Sequence, residues 1–191
     1  MKKRISSYLE LIKTSFTDQI SEKVEVLADA MHDAWLTKKN VYICGNGGSA
    51  GNAIHLANDF NYGIDKGGGM GLRIDALPSN SSIVTCIAND EGYENIFAQQ
   101  LKVKANPRDI LIVLSGSGNS PNILRALEVG NKMDMKTFAI LGFSGGAAKS
   151  LAQVAIHFDV NDMQVAEDVQ VIVGHILMQT LYSRGRGVAT K

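Results

Sequence analysis

His55 and Asp59 stand four residues apart in Gly51-Asn-Ala-Ile-His-Leu-Ala-Asn-Asp-Phe60, a stretch that reads as helix, so an imidazole and a carboxylate share one face. Such a pair can ligate a metal or move a proton. Just ahead lies Val41-Tyr-Ile-Cys-Gly-Asn-Gly-Gly-Ser-Ala50, a strand followed by a glycine-rich turn. Gly45, Gly47 and Gly48 permit positive φ and a close backbone approach to a ligand. Ser49 is placed to cap the helix, whose first free N–H groups form a natural anion site. A second loop, Ser115-Gly116-Ser117-Gly-Asn-Ser120, follows the apolar run Asp109 to Leu114 and adds three hydroxyls. Ligands of open α/β sheets bind at the C-terminal ends of strands. With no Lys or Arg in the loop, its donors are hydroxyls, amides and a helix dipole, which suits a phosphate monoester on a small molecule.

Three other readings bear on these loops. Gly45-x-Gly47-x-x-Ala50 satisfies the dinucleotide fingerprint, with Asp65 about twenty residues on. That acid should end a second strand, and Ile64-Asp65-Lys66-Gly67 reads as loop. Gly145-Gly-Ala-Ala-Lys-Ser150 suggests a P-loop, but Ala148 stands where a glycine must precede the lysine. The bland alternative, that Ser115 to Ser120 is a polar turn without a ligand, stays open.

The elements that must position these residues alternate. Residues 5–16 and 19–37 show helical apolar spacing, through Ile5, Leu9, Ile12 and Phe16, then Ile20, Val24, Leu27 and Met31. These two helices either cover the sheet or offer an apolar face to another subunit. Strands are expected at 41–43, before the first glycine turn, and at 72–77, 109–114, 136–141 and 154–160. Helices are expected after the first loop, from a cap within Ser79–Ser82 toward Ala88, over 96–103, from Ser120–Pro121 through Val129, near 147–152 and over 164–183. A glycine-rich connection spans 63–69, Asn89 to Asn95 reads as a polar turn, and a basic tail follows 183. The pattern predicts an α/β fold, a three-layer sandwich with a mainly parallel sheet. One domain spans 1–191, with helices over 1–38 and an α/β core over 39–183.

Nineteen basic and nineteen acidic residues cancel, so no nucleic-acid surface is expected. Val169 to Leu181, broken by Gln170, His175 and Gln179, is too short to span a membrane. The start Met-Lys-Lys-Arg has no apolar run after it, and Cys44 and Cys86 lack metal or disulfide spacing. A cytoplasmic setting is expected.

Cys-Gly-Asn-Gly-Gly-Ser after the first strand, with Leu-Ser-Gly-Ser-Gly-Asn-Ser after a later one, resembles the sugar isomerase (SIS) domain family, most closely its phosphoheptose isomerases. The likeness extends to Ala88-Asn-Asp90, Leu141-Gly-Phe-Ser-Gly-Gly146 and a His-bearing last helix. It implies that Ser115, Gly116, Ser117 and Ser120 hold a sugar phosphate, and that Asn46, Gly47, Gly48, Asn89, Asp90 and Glu167 meet the substrate. It further implies a zinc site at His55, Asp59, Glu167 and His175, with Asp59 as base and His175 as acid. Asp59 replaces a family Glu, and Glu167 a family Gln. Members are typically homotetramers with sites between subunits.

The residues themselves permit that chemistry. Two imidazoles and two carboxylates on two helices make an acceptable zinc set, and other divalent metals also fit. His32 and His157 lack such company and read as structural; Asp168, about 100° around the helix from Glu167, is a candidate to support a metal ligand from behind. An aldose–ketose isomerase needs a base at carbon and an acid at oxygen. Asp59 is one methylene short of Glu, so either its helix sits closer to the sugar, Glu167 acts as base, or activity is weak. Two functions follow: isomerisation of sedoheptulose 7-phosphate to heptose 7-phosphate for surface polysaccharide, or a non-catalytic sugar-phosphate sensor or assembly scaffold, such as the family's replication-initiation adaptor.

Overall fold

Each strand but the last is followed by a helical crossover to the next, so neighbouring strands run parallel. In the computed structural model, which describes residues 1–66, 68 and 71–185, the strands are β1 (Val41–Gly45), β2 (Ile74–Ala76), β3 (Ile110–Ser115), β4 (Lys136–Leu141) and β5 (Val154–His157). They form an all-parallel sheet in the order β2-β1-β3-β4-β5. The helices are α1 (Lys2–Ser15), α2 (Asp18–Leu36), α3 (Gly48–Asn61), α4 (Ser81–Glu91), α5 (Ala98–Lys104), α6 (Pro121–Lys132), α7 (Ala148–Leu151) and α8 (Met163–Gly185). None of them is long and apolar enough to cross a membrane. The tail expected beyond 183 continues α8 to Gly185; residues 186–191, and 67 and 69 of the glycine-rich connection, lie outside the described residues.

Strand side chains alternate between two cores. Val41, Ile43, Ile112, Leu114, Phe138, Ile140 and Ile156 pack with α2, α3 and α8. Tyr42, Cys44, Leu111, Val113, Ala139 and Leu141 pack with α5, α6 and α7. This is the three-layer sandwich expected. Thr17 starts α2 by accepting the Ile20 N–H at 3.3 Å, and the helix then buries Val24, Leu27 and Met31 against the sheet. Leu27→Ala here removes about 2–5 kcal/mol. By contrast α1 buries no residue fully: Tyr8, Ile12 and Phe16 lean on the core while Ile5, Leu9 and Leu11 face solvent.

The strand order sets the site. β1 and β3 are neighbours, but α3 leaves β1 for one face and α6 leaves β3 for the other. Their loops therefore diverge and open a crevice at the topological switch point.

Several local expectations change. Ser49 does not cap α3; Gly47 holds that place at φ +56°, and the Ser49 side chain is buried. The cap expected within Ser79–Ser82 is there, supplied by Asn80, which accepts the Ile83 N–H. Asn89 to Glu91 continue α4, which ends at Gly92 with φ +95°. β2 is limited to Ile74–Ala76, since the Leu72 N–H bonds Phe60 O; β5 stops at His157, before the Val160 N–H turns back to Phe158 O. Asp168 accepts the Tyr8 O–H at 2.6 Å, tying α8 to α1 rather than supporting a metal.

Candidate functional site

The crevice is a cavity of about 300 Å³ lined by Asn46, Gly47, Gly48 and Ser49 from the first loop, Ser115, Gly116, Ser117 and Ser120 from the second, and Glu167 from α8. Ser115 Oγ accepts the Gly118 N–H at 3.0 Å, and Ser117 Oγ accepts the Asn119 N–H at 3.3 Å. Both hydroxyls thus shape the loop while keeping their O–H for a ligand. Ser120 precedes α6, with Pro121 in the first turn, and its hydroxyl makes no capping bond. The N-termini of α3 and α6 both open here, a field that favours anions. The Glu167 carboxylate already lies against Gly48, where a Cβ would overlap it. An anionic ligand therefore has its best place on the α6 side, among the serines.

A second group forms farther along α3 and α8. His55 Nε2 and His175 Nε2 are 3.1 Å apart, and Asp59 Oδ2 is 3.4 and 3.3 Å from them respectively. Ligands about 2.0–2.1 Å from a tetrahedral zinc lie roughly 3.3–3.4 Å from one another, so the three atoms fit three corners of such a site. The cluster opens onto a cavity of about 590 Å³ that Asp59 and His175 line with Met178 and Gln179. Gly174 lets the helices approach, since a Cβ there would overlap the Leu56 side chain.

Glu167 does not join this group. Eight residues separate it from His175, about 12 Å along a helix, and it belongs to the loop cavity instead. Asn89 and Asp90 lie on exposed α4, with Asn89 Nδ2 donating to Asp90 Oδ1 at 2.8 Å, and do not line the loop cavity. His157 Nε2 meets Phe143 O at 2.7 Å, and His32 lines a separate cavity with Trp35 and Ile64, both consistent with structural roles.

Between the two groups runs a buried polar chain that single-residue reading missed. Asn52 Nδ2 donates to Glu167 O and to Gln170 Oε1, each at 3.0 Å, and Gln170 Nε2 donates to Ser49 Oγ at 3.1 Å. A glutamine interrupting the apolar run Val169 to Val173 was the available signal. Asn122, buried at the start of α6, was missed as well; it pairs with Asn46.

Comparison with known proteins extends to nearly the whole chain. The SIS domain profile matches residues 6–142. The chain is similar to a phosphoheptose isomerase of Helicobacter pylori strain P12, 35% identical over 179 residues covering 93% of this chain and 85% of that one. It is 33% identical over 184 residues to a phosphoheptose isomerase of Geotalea daltonii, covering 96% and 95%. Among solved structures, a phosphoheptose isomerase from Francisella tularensis superposes with a TM-score of 0.86 at 26% identity, over 95% of this chain and 97% of that one.

Proposed function

This chain belongs to the SIS domain family, among its phosphoheptose isomerases, and on that footing we propose that it interconverts sedoheptulose 7-phosphate and D-glycero-D-manno-heptose 7-phosphate. The observation that carries the reading is the pairing of a hydroxyl-lined anion cavity at the switch point with a His–Asp–His cluster on the helices that leave it.

The substrate's phosphate takes the Ser115, Ser117 and Ser120 hydroxyls and the first amides of α6. Asp59 has one oxygen, Oδ2, turned to the two histidines; among the described residues Oδ1 accepts a hydrogen bond only from the Asn58 amide, at 3.4 Å. That oxygen suits a base that takes a proton from C1 of the ketose and returns it to C2. With its Nε2 in the cluster, His175 would serve the matching transfer between the two oxygens through Nδ1. A divalent cation held by His55, Asp59 and His175, zinc by the donor types, would polarise the carbonyl as a Lewis acid.

Within one chain the cluster has three residues and Glu167 stands apart, so we read the working enzyme as a homo-oligomer, a tetramer as in the family. A second copy would bring its Glu167 and phosphate loops to the cluster. Exposed Ile54 and Ile176 flank the histidines and give such a contact an apolar rim. We place the protein in the cytoplasm as one SIS domain, with a precursor of surface polysaccharide as its product.

The test is isomerisation of sedoheptulose 7-phosphate by the purified protein, with metal content measured on the same sample. Turnover lost in Asp59→Ala and His175→Ala supports the enzyme. Tight sugar-phosphate binding without turnover would make it a sensor instead.

A further inference from the structure

Asn46 is expected at the sugar, yet its amide is engaged inside the protein. Its Nδ2 donates to Asn122 Oδ1 at 2.9 Å, and its Oδ1 accepts from Asn122 Nδ2 at 2.7 Å and from the Tyr93 O–H at 3.1 Å. Both acceptor sites of that oxygen are thereby filled, and one N–H of Asn46 is left over. The three residues come from three separate segments. Asn46 lies in the β1–α3 loop, Asn122 in the first turn of α6, and Tyr93 in the 3-10 turn Tyr93–Asn95 that follows α4. Asn122 is only 1% exposed, whereas Tyr93 is 55% exposed and reaches the pair from the solvent side.

The diverging loops are not held together here by the sheet ladder, which pairs β1 with β3 only as far as Gly45 and Leu114. Beyond that point, the reciprocal amide pair spans from the first loop to the helix that opens behind the second. We infer that Asn122 and Tyr93 are positioning residues: they hold Asn46 as a strut that fixes the first loop against the α6 N-terminus. Tyr93 extends that hold to the end of α4, where Asn89 and Asp90 lie. Asn46 then serves the substrate by setting the width of the cavity rather than by donating to the sugar.

The strut stands on geometry alone; its effect on substrate rests on the phosphate reading of the cavity given above. Two measurements separate them, on wild type, Asn46→Ala, Asn122→Ala, the double variant and Tyr93→Phe. The first is backbone hydrogen exchange over residues 46–50 and 121–124 in ligand-free protein. Asn122→Ala is expected to speed exchange about 10-fold in both segments, and Tyr93→Phe by less, mainly in the first. Unchanged exchange in both variants overturns the strut whether or not any substrate turns over.

The second measurement is KM and kcat for sedoheptulose 7-phosphate, with inorganic phosphate affinity alongside. Asn122→Ala is expected to raise KM about 10-fold and weaken inorganic phosphate in parallel, with kcat little changed. The double variant should be no worse than either single one, because the pair acts as a unit. Additive losses, or a KM defect in Asn46→Ala that Asn122→Ala lacks, would show that Asn46 meets the sugar directly and overturn the proposal. Tyr93→Phe changes only an exposed hydroxyl, so it tests the strut even if the buried variants fail to fold. A wild type without turnover counts against the isomerase reading, while the exchange result still decides the strut.

Discussion

Gln170 Nε2 donates to Ser49 Oγ at 3.1 Å across the α3–α8 interface, from a side chain with no solvent exposure. A buried polar bond of this kind fixes the register of two helices that apolar contacts alone would hold less specifically. Register matters here because a slip of one turn moves His175 by about 5.4 Å relative to His55. Gln170→Ala strands the Ser49 hydroxyl and one Asn52 N–H, at a cost of about 1–3 kcal/mol. Urea unfolding of the two proteins measures it directly; equal midpoints would contradict the assigned bond.

Zinc should stabilise the fold through His55, Asp59 and His175. At a free concentration a hundred times its Kd, the gain is about 2.7 kcal/mol, removable by chelator. His55→Ala or His175→Ala should abolish the zinc-dependent rise in melting temperature. If the rise survives in both variants, the ion binds elsewhere.

Gly48→Ala tests the seat of Glu167. The new methyl overlaps the carboxylate and pushes it from the α3 N-terminus, and a displacement on the order of 1 Å can cost ~10²-fold in rate. Turnover should fall steeply with little change in melting temperature. Wild-type turnover would mean that Glu167 does not need this place.

The Tyr8–Asp168 bond gives the attachment of α1 an alkaline limit. Burial, together with the hydrogen bond to Asp168, pushes the Tyr8 phenol up to about 12. A raised value means that the folded state holds the proton more tightly. Its contribution is therefore complete below the ordinary phenol value of about 10 and is lost as pH climbs toward 12. The stability gap between wild type and Tyr8→Phe should shrink across that window. Tyr42, also raised to about 12 by burial, is common to both proteins and drops out of the difference. A gap independent of pH would refute the coupling.

Mixed oligomers test the shared site. Glu167→Ala and His175→Ala proteins, each inactive alone, should regain part of the activity when unfolded and refolded together. One copy then supplies the cluster and another the carboxylate. No recovery in verified hetero-oligomers would place the whole site within one chain.

Much of this was legible in the sequence because it is local. Lys136–Leu141 is an unbroken strand pattern, and Ser120–Pro121 is a helix start whatever surrounds it. The loops were legible as well, since glycines and serines at strand ends have few other uses. What escaped depends on contacts between distant segments. Ser49 has the chemistry of a cap, but Gln170, 121 positions away, claims its hydroxyl. Asn89 to Glu91 look like a turn because they are polar, yet they continue an exposed helix until Gly92 stops it. Glu167 and His175 share a helix and a ligand set, but about 12 Å of helix separates them, so within one chain they line different cavities.

The missing side chain at Gly174 ties the length of one residue to the spacing of two helices. Asp59 reaches its histidines with a short arm because α8 lies close enough to α3 for a methyl at 174 to collide with Leu56. Arm and gap are then a matched pair, and the substitutions that change them should be interdependent. Asp59→Glu alone should weaken zinc binding by overshooting, and Gly174→Ala alone by separating the helices. If each change partly corrects the other, the double variant will bind zinc better than either; if it binds worse than both, the two dimensions were never matched.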